Sequence, residues 1–134
     1  MIKLEKEIRR KGVDLSQIYR DDKLAIYVAR QKHVDDDGFS EWFEVFKITV
    51  LDGDRFRDEE FELYPSDSAF GNWAWSCADC GTVAKVIYKN FSGHKLNKAF
   101  EKYIDGYYSS GERWIPYFKM DAKELLECLY SIRE

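Results

Sequence analysis

Apolar side chains mark out a short series of elements along the chain. Near the start, Leu4 and Ile8 sit among charged residues, Glu5/Arg9 and Glu7/Lys11 stand four apart in the order that supports a helix, and Gly12 suits a helix stop. A short helix is expected over residues 2–11. Residues 23–32 (KLAIYVARQK) are rich in β-formers, residues 34–38 carry turn formers, and residues 41–51 (EWFEVFKITVL) are β-prone again, which predicts a hairpin. Pro65 closes the next apolar stretch, and Trp73-Ala74-Trp75-Ser76 alternates large and small residues as a third strand does. Between them, Ser66 or Asp67 suits the cap of a short helical turn through Phe70, and Gly71 suits a reversal into that strand. Asp79 is placed to cap a helix carrying Val83, Ile87 and Phe91 on one face, with Ser92-Gly93 at its end. Leu96, Ala99, Phe100, Tyr103 and Ile104 follow the helical template up to Gly106. Asp121 and Glu124 form a capping-box pattern ahead of Leu125, Cys128, Leu129 and Ile132. Residues 113–118 (RWIPYF) are aromatic but contain Pro116, so they are expected to form an edge strand at most.

The elements compose an α+β fold in one domain over residues 1–134. Residues 1–92 read as α-β-β-β-α, a three-stranded antiparallel sheet under a single layer of helices, and residues 93–134 as a helical C-terminal extension packed on it. The expected core is one cluster of Ile26, Val45, Ile48, Trp73, Trp75, Val83 and Ile87. With 134 residues, 45% of them hydrophobic, the chain can fill such a core without metals or cross-links. No apolar run approaches the roughly 18 residues that span a bilayer, and the first twelve residues are charged rather than signal-like. A cytoplasmic protein without membrane contact is expected. Three cysteines, an odd number, point to a reduced state rather than a disulfide framework.

The net charge of −4 is modest, but Asp52, Asp54, Asp58, Glu59, Glu60, Glu62 and Asp67 crowd one stretch relieved by Arg55 and Arg57. A broad nucleic-acid face is therefore disfavoured. The α-β-β-β-α order resembles that of double-stranded-RNA-binding domains, yet the place of their lysine cluster reads Ala78-Asp79-Cys80-Gly81-Thr82. Asp35-Asp36-Asp37-Gly38 lacks the alternate spacing of a calcium loop and reads as a solvated turn.

Trp75-Ser76-Cys77-Ala78-Asp79-Cys80 places two thiols at a helix start, where a redox pair has its nucleophile activated. The segment resembles the active-site turn of thioredoxin-like oxidoreductases. It departs from that pattern in the placement of the tryptophan, in Asp79, whose charge raises a thiol pKa, and in having no βαβ unit before it. Zinc is the second use of such a pair, with Cys77, Cys80, His94 and Cys128 as the set available. Both uses compete with plain structural thiols. His33 and His94 are the only histidines, and no nucleophile paired with a base is apparent, so enzymatic activity is not expected and no cofactor is implied. The remaining unusual feature is aromatic density at Tyr103, Tyr107, Tyr108, Trp114, Tyr117 and Phe118, residue types that are enriched at protein-binding hot spots and equally suited to a satellite core.

Residues 63–75 (LYPSDSAFGNWAW), preceded by an Ala-Ile-Tyr strand and a Phe-Glu-Val-Phe-Lys-Ile strand, resemble small proteins encoded by bacteriophages and mobile elements. The resemblance covers about residues 20–92. It implies an accessory product that binds a host protein, and supplies no catalytic residues. The expected function is a non-enzymatic protein-interaction module working through Asp58, Glu59, Glu60 and Glu62 or through Tyr107, Tyr108, Trp114 and Tyr117. The alternative is a thiol-redox or zinc protein using Cys77 and Cys80.

Overall fold

The computed structural model describes residues 2–52, 59–105 and 117–131, together with the backbone of 107–108 and 114–115. The chain forms two compact units, Met1–Ser76 and Cys77–Glu134. Its elements are β1 (Glu7–Arg10), β2 (Val13–Arg20), β3 (Leu24–Lys32), β4 (Phe39–Lys47), β5 (Val50–Leu51), β6 (Phe61–Glu62), β7 (Ala74–Cys77), α1 (Cys80–Asn90), α2 (Lys95–Phe100), β8 (Tyr107–Tyr108), β9 (Trp114–Ile115) and α3 (Ala122–Ser131). The α+β class holds, but the main sheet has five strands in the order β1-β2-β3-β4-β7 rather than three.

Of the two unforeseen strands, β1 replaces the helix expected over residues 2–11, and β2 fills a stretch for which no element was expected. β1 and β2 form an antiparallel hairpin with Arg10 opposite Val13, so the loop is only Lys11-Gly12. Both loop residues have positive φ, 51° and 79°, as a two-residue type I′ turn requires. Gly12 thus ends no helix and instead reverses a strand. The oppositely charged residues that suggested helical pairs act across strands: Arg9 meets Asp14 at 2.6 Å, and the Ser16 hydroxyl donates to Glu7 at 2.6 Å.

β2 contains a bulge between Gln17 and Tyr19. Before it, Leu15 and Gln17 lie opposite Ala29 and Tyr27; after it, Tyr19 lies opposite Ile26 and Arg20 opposite Ala25. The extra residue flips the alternation, so Arg20 joins the face that carries Ala25 and Tyr27. That face holds the core of the first unit, with Leu15, Ala25, Tyr27, Ala29, Phe46 and Ala74 buried and Ile48, Tyr64, Phe70 and Trp73 packed against them. Tyr27 and Phe46 stack at 5.6 Å, and Tyr64 meets Phe46 edge-on. Ile26 and Val45, also fully buried, point to the opposite side of the strands. The expected single cluster is therefore divided: Ile48 and Trp73 belong to one face, Ile26 and Val45 to the other. Ile48, Trp73 and Trp75 are half-buried.

The β3–β4 hairpin, the strand at 74–77 and the helix from 80 lie where the sequence places them. A 3-10 turn at Asp67–Ala69 has Ser66 at its cap position without a side-chain capping bond, and Gly71 takes φ 91° as the chain turns into β7. In the second unit the Asp79 carboxylate accepts from the Thr82 amide at 2.8 Å, and α2 packs on both α1 and α3. The capping box of α3 closes both ways: the Glu124 amide donates to Asp121 at 2.8 Å and the Asp121 amide to Glu124 at 3.1 Å. Phe118 fills the space beside Tyr88 and Phe100. Residues 107–108 and 114–115 pair as a two-stranded ribbon; a strand within 113–118 was expected, its partner at 107–108 was not.

Candidate functional site

The acidic stretch enters the structure beside a narrow β ribbon. β5 and β6 pair antiparallel with Leu51 opposite Phe61 and Val50 opposite Glu62. Ile2 adds a parallel bridge on the other side of Phe61: its amide donates to the Glu60 carbonyl, and its carbonyl accepts from the Glu62 amide, both at 2.9 Å. Ile2, Phe61 and Leu51 thus form one cross-strand row whose side chains share a face. Phe61 is buried, but Ile2 and Leu51 are 42% and 41% exposed, and Val50 is exposed on the opposite face of the ribbon. Asp52, Glu59 and Glu60 are exposed at the ends of these strands. The row was not foreseen; its only sequence signal is the apolar Val50-Leu51 pair set directly before the acidic run.

Glu62 must be removed from the expected acidic surface. The bulge in β2 turns Arg20 toward it, and the guanidinium grips the carboxylate with both arms at 2.5 and 2.7 Å, while the Leu4 amide donates to it at 2.9 Å. The Glu62 side chain is 2% exposed. The hydrogen bonds from Arg20 hold its carboxyl below the usual range, and Glu62 in turn raises the pKa of Arg20. Its role is to tie the ribbon to the sheet. Asp58 lies outside the described residues. Of the aromatic group, Tyr117 is 51% exposed, whereas the side chains of Tyr107, Tyr108 and Trp114 lie outside the described residues.

The three thiols are free and buried. Cys77 ends β7 and is fully buried; burial first, and the charge of Asp79 second, push its thiol up to about 12. Burial likewise raises Cys80, with Asp79 and Asp121 adding to it, and Cys128, whose Sγ lies 3.7 Å from the Ala99 carbonyl oxygen. A working redox pair needs the opposite shift. The buried His94 caps α2, its Nδ1 accepting from the Leu96 amide at 3.0 Å. Among the described residues no three side chains of the metal-binding types gather as a metal site would require.

A nucleophile paired with a base does occur, which corrects the sequence reading. In the β3–β4 turn His33 Nδ1 lies 2.8 Å from Asp36 Oδ1 and His33 Nε2 lies 2.9 Å from Ser40 Oγ. The atoms match a Ser-His-Asp array. Its surroundings do not: all three residues are exposed, and none lines a cleft described for this protein. Asp36 also accepts from the Gly38 amide at 2.7 Å, and the His33 amide donates to the Gly38 carbonyl at 2.9 Å. The array therefore braces a hairpin turn.

Among the described residues, the ribbon row sets exposed apolar ends beside neighbouring acids. In comparisons with known proteins, the chain matches no family model, no curated protein and no solved structure.

Proposed function

We propose that the protein is a non-enzymatic interaction module that binds a protein partner across the Ile2–Phe61–Leu51 row. The observation supporting this reading is the exposure of Ile2 and Leu51 on either side of buried Phe61, set among Asp52, Glu59 and Glu60. A fitting partner presents apolar side chains between lysines or arginines. The apolar contacts supply affinity, and the acids speed encounter and fix orientation. As the product of a phage or mobile element, the module would meet a host protein; that part rests on the resemblance of residues 20–92.

Proximity labelling in cells, followed by direct binding of the purified candidate, tests the proposal. Leu51→Glu is expected to abolish binding while the fold persists, because Leu51 is already partly in water. Glu59→Lys/Glu60→Lys is expected to slow association at low salt. A partner bound equally well by the parent and by Leu51→Glu would overturn the assignment of this surface.

A further inference from the structure

Glu44 is a carboxylate in an unusual place. It lies on β4 between Trp42 and Phe46, on the face of the sheet that carries the core, and is 8% exposed. Burying a carboxylate is costly unless a charge or several donors compensate. Its hydrogen-bond partners are neutral: the Tyr64 hydroxyl donates to one oxygen, and the Trp42 indole N–H points at the other from 3.4 Å. Among the described residues no lysine, arginine or histidine makes an ion pair with it.

Two clefts share this carboxylate. The smaller, about 150 Å³, is lined on its other side by Arg10 and Lys11, and the Arg10 guanidinium stacks on the Tyr64 ring at 4.4 Å. The wider, about 520 Å³, is lined by Trp42, Glu44, Asp67, Phe70 and Ser76, with no cationic side chain. Trp42 lies opposite the small Ala29 on β3 and is partly buried against the core. Asp67 already pairs with the Lys11 ammonium at 3.0 Å, which leaves two aromatic residues, the Glu44 carboxylate and a hydroxyl around one opening as the surroundings an organic cation favours: the rings present negative faces, and the recessed carboxylate acts where water is partly excluded.

We propose that the wider cleft is a binding site for an alkylammonium ion, with Glu44 as counter-charge and Trp42 and Phe70 as its aromatic walls. The ammonium group would supply the positive charge that Glu44 lacks, and its alkyl part would lie against the rings. The chemistry is shared by small free amines and by the lysine side chain of a partner.

The test is a titration of the full chain, labelled with nitrogen-15, with n-butylammonium chloride, following the Trp42 indole N–H signal assigned through Trp42→Phe. A saturable shift is expected, absent with n-butanol or with sodium chloride at equal ionic strength. Glu44→Gln is expected to weaken binding about tenfold or more, the loss of one favourable charge contact. Phe70→Leu, which keeps an apolar side chain at a half-buried position, is expected to weaken it severalfold and carries the test should Glu44→Gln not fold. A parallel titration with Nα-acetyl-lysine methylamide separates the sources: binding of both ligands supports a lysine side chain, and binding of butylammonium alone supports a free amine. A shift reproduced by n-butanol, or binding unchanged in both variants, would overturn the site. Leu51→Glu is expected to leave butylammonium binding intact, so failure of the ribbon surface and failure of this cleft are told apart.

Discussion

Single residues carry several of the constraints in this fold. Gly81, in the first turn of α1, has the Phe118 carbonyl oxygen 2.2 Å from where a Cβ would lie. A backbone oxygen cannot rotate away as a side chain does, so Gly81→Ala is expected to force α1 and the Phe118 segment apart at a cost of about 1–3 kcal/mol. Thermal unfolding monitored by circular dichroism measures it; an unchanged midpoint would refute the close approach. Glu62 gives a second test. Its folded pKa lies below the ordinary 4.5 because of Arg20, so its contribution to stability is complete above the unfolded value and is lost as pH falls through the folded one. Glu62→Gln is expected to cost about 2–3 kcal/mol at neutral pH, near the low end for a broken buried pair because Arg20 is 23% exposed. The gap between parent and variant should narrow as pH falls below about 4, and a gap independent of pH would mean that Glu62 acts by shape alone.

Elements differed in how far the sequence announced them. The β3–β4 hairpin, β7, α1 and the box that starts α3 each carry a local signal: β-branched and aromatic runs, a cap at the right offset, an aspartate and glutamate three apart. The first hairpin carries misleading ones. β1 is an edge strand, and edge strands take charged residues, so KEIRR shows little alternation and its charges fall at helical spacing. β2 alternates from Val13 to Gln17, and then the bulge shifts Tyr19 and Arg20 by one position and breaks the pattern. The Ile2–Phe61 bridge and the Arg20–Glu62 pair had no local signal, since they join residues 42 or more apart, and the Leu51–Phe61 pairing left only the apolar Val50-Leu51 pair as a sign. The Lys11-Gly12 turn yields a prediction at this scale. Lysine at φ 51° is a poor choice where asparagine is preferred, so Lys11→Asn is expected to stabilise the first hairpin by about 0.5 kcal/mol, and Gly12→Val to destabilise it by about 1–2 kcal/mol. Urea midpoints of the two variants should move in opposite directions; movement in the same direction would argue against a type I′ turn.

At the scale of the whole molecule, the thiols report on how the second unit opens. Cys77, Cys80 and Cys128 all lie within Cys77–Glu134, all are buried, and all have raised pKa values. With its pKa near 12, Cys77 has only about one part in 10⁵ as thiolate at pH 7, and the thiolate is the reactive form. Alkylation by iodoacetamide at pH 7 should therefore be slow at each site and should proceed mainly through openings that expose the thiol and return its pKa to the ordinary range. Since one compact unit holds the three, their protection is expected to fall together as urea is raised, which site-resolved mass spectrometry can follow. The pair also has little to gain from the start of α1, because Asp79 spends its carboxylate on the Thr82 amide, and burial first and the Asp79 charge second keep both neighbouring thiols protonated. Cys77→Ser/Cys80→Ser should accordingly fold, losing stability through buried hydroxyls rather than through any lost link. Rapid alkylation of Cys80 alone in the native protein, well before the other two respond to urea, would show a locally accessible, activated thiol and would return the redox alternative to first place.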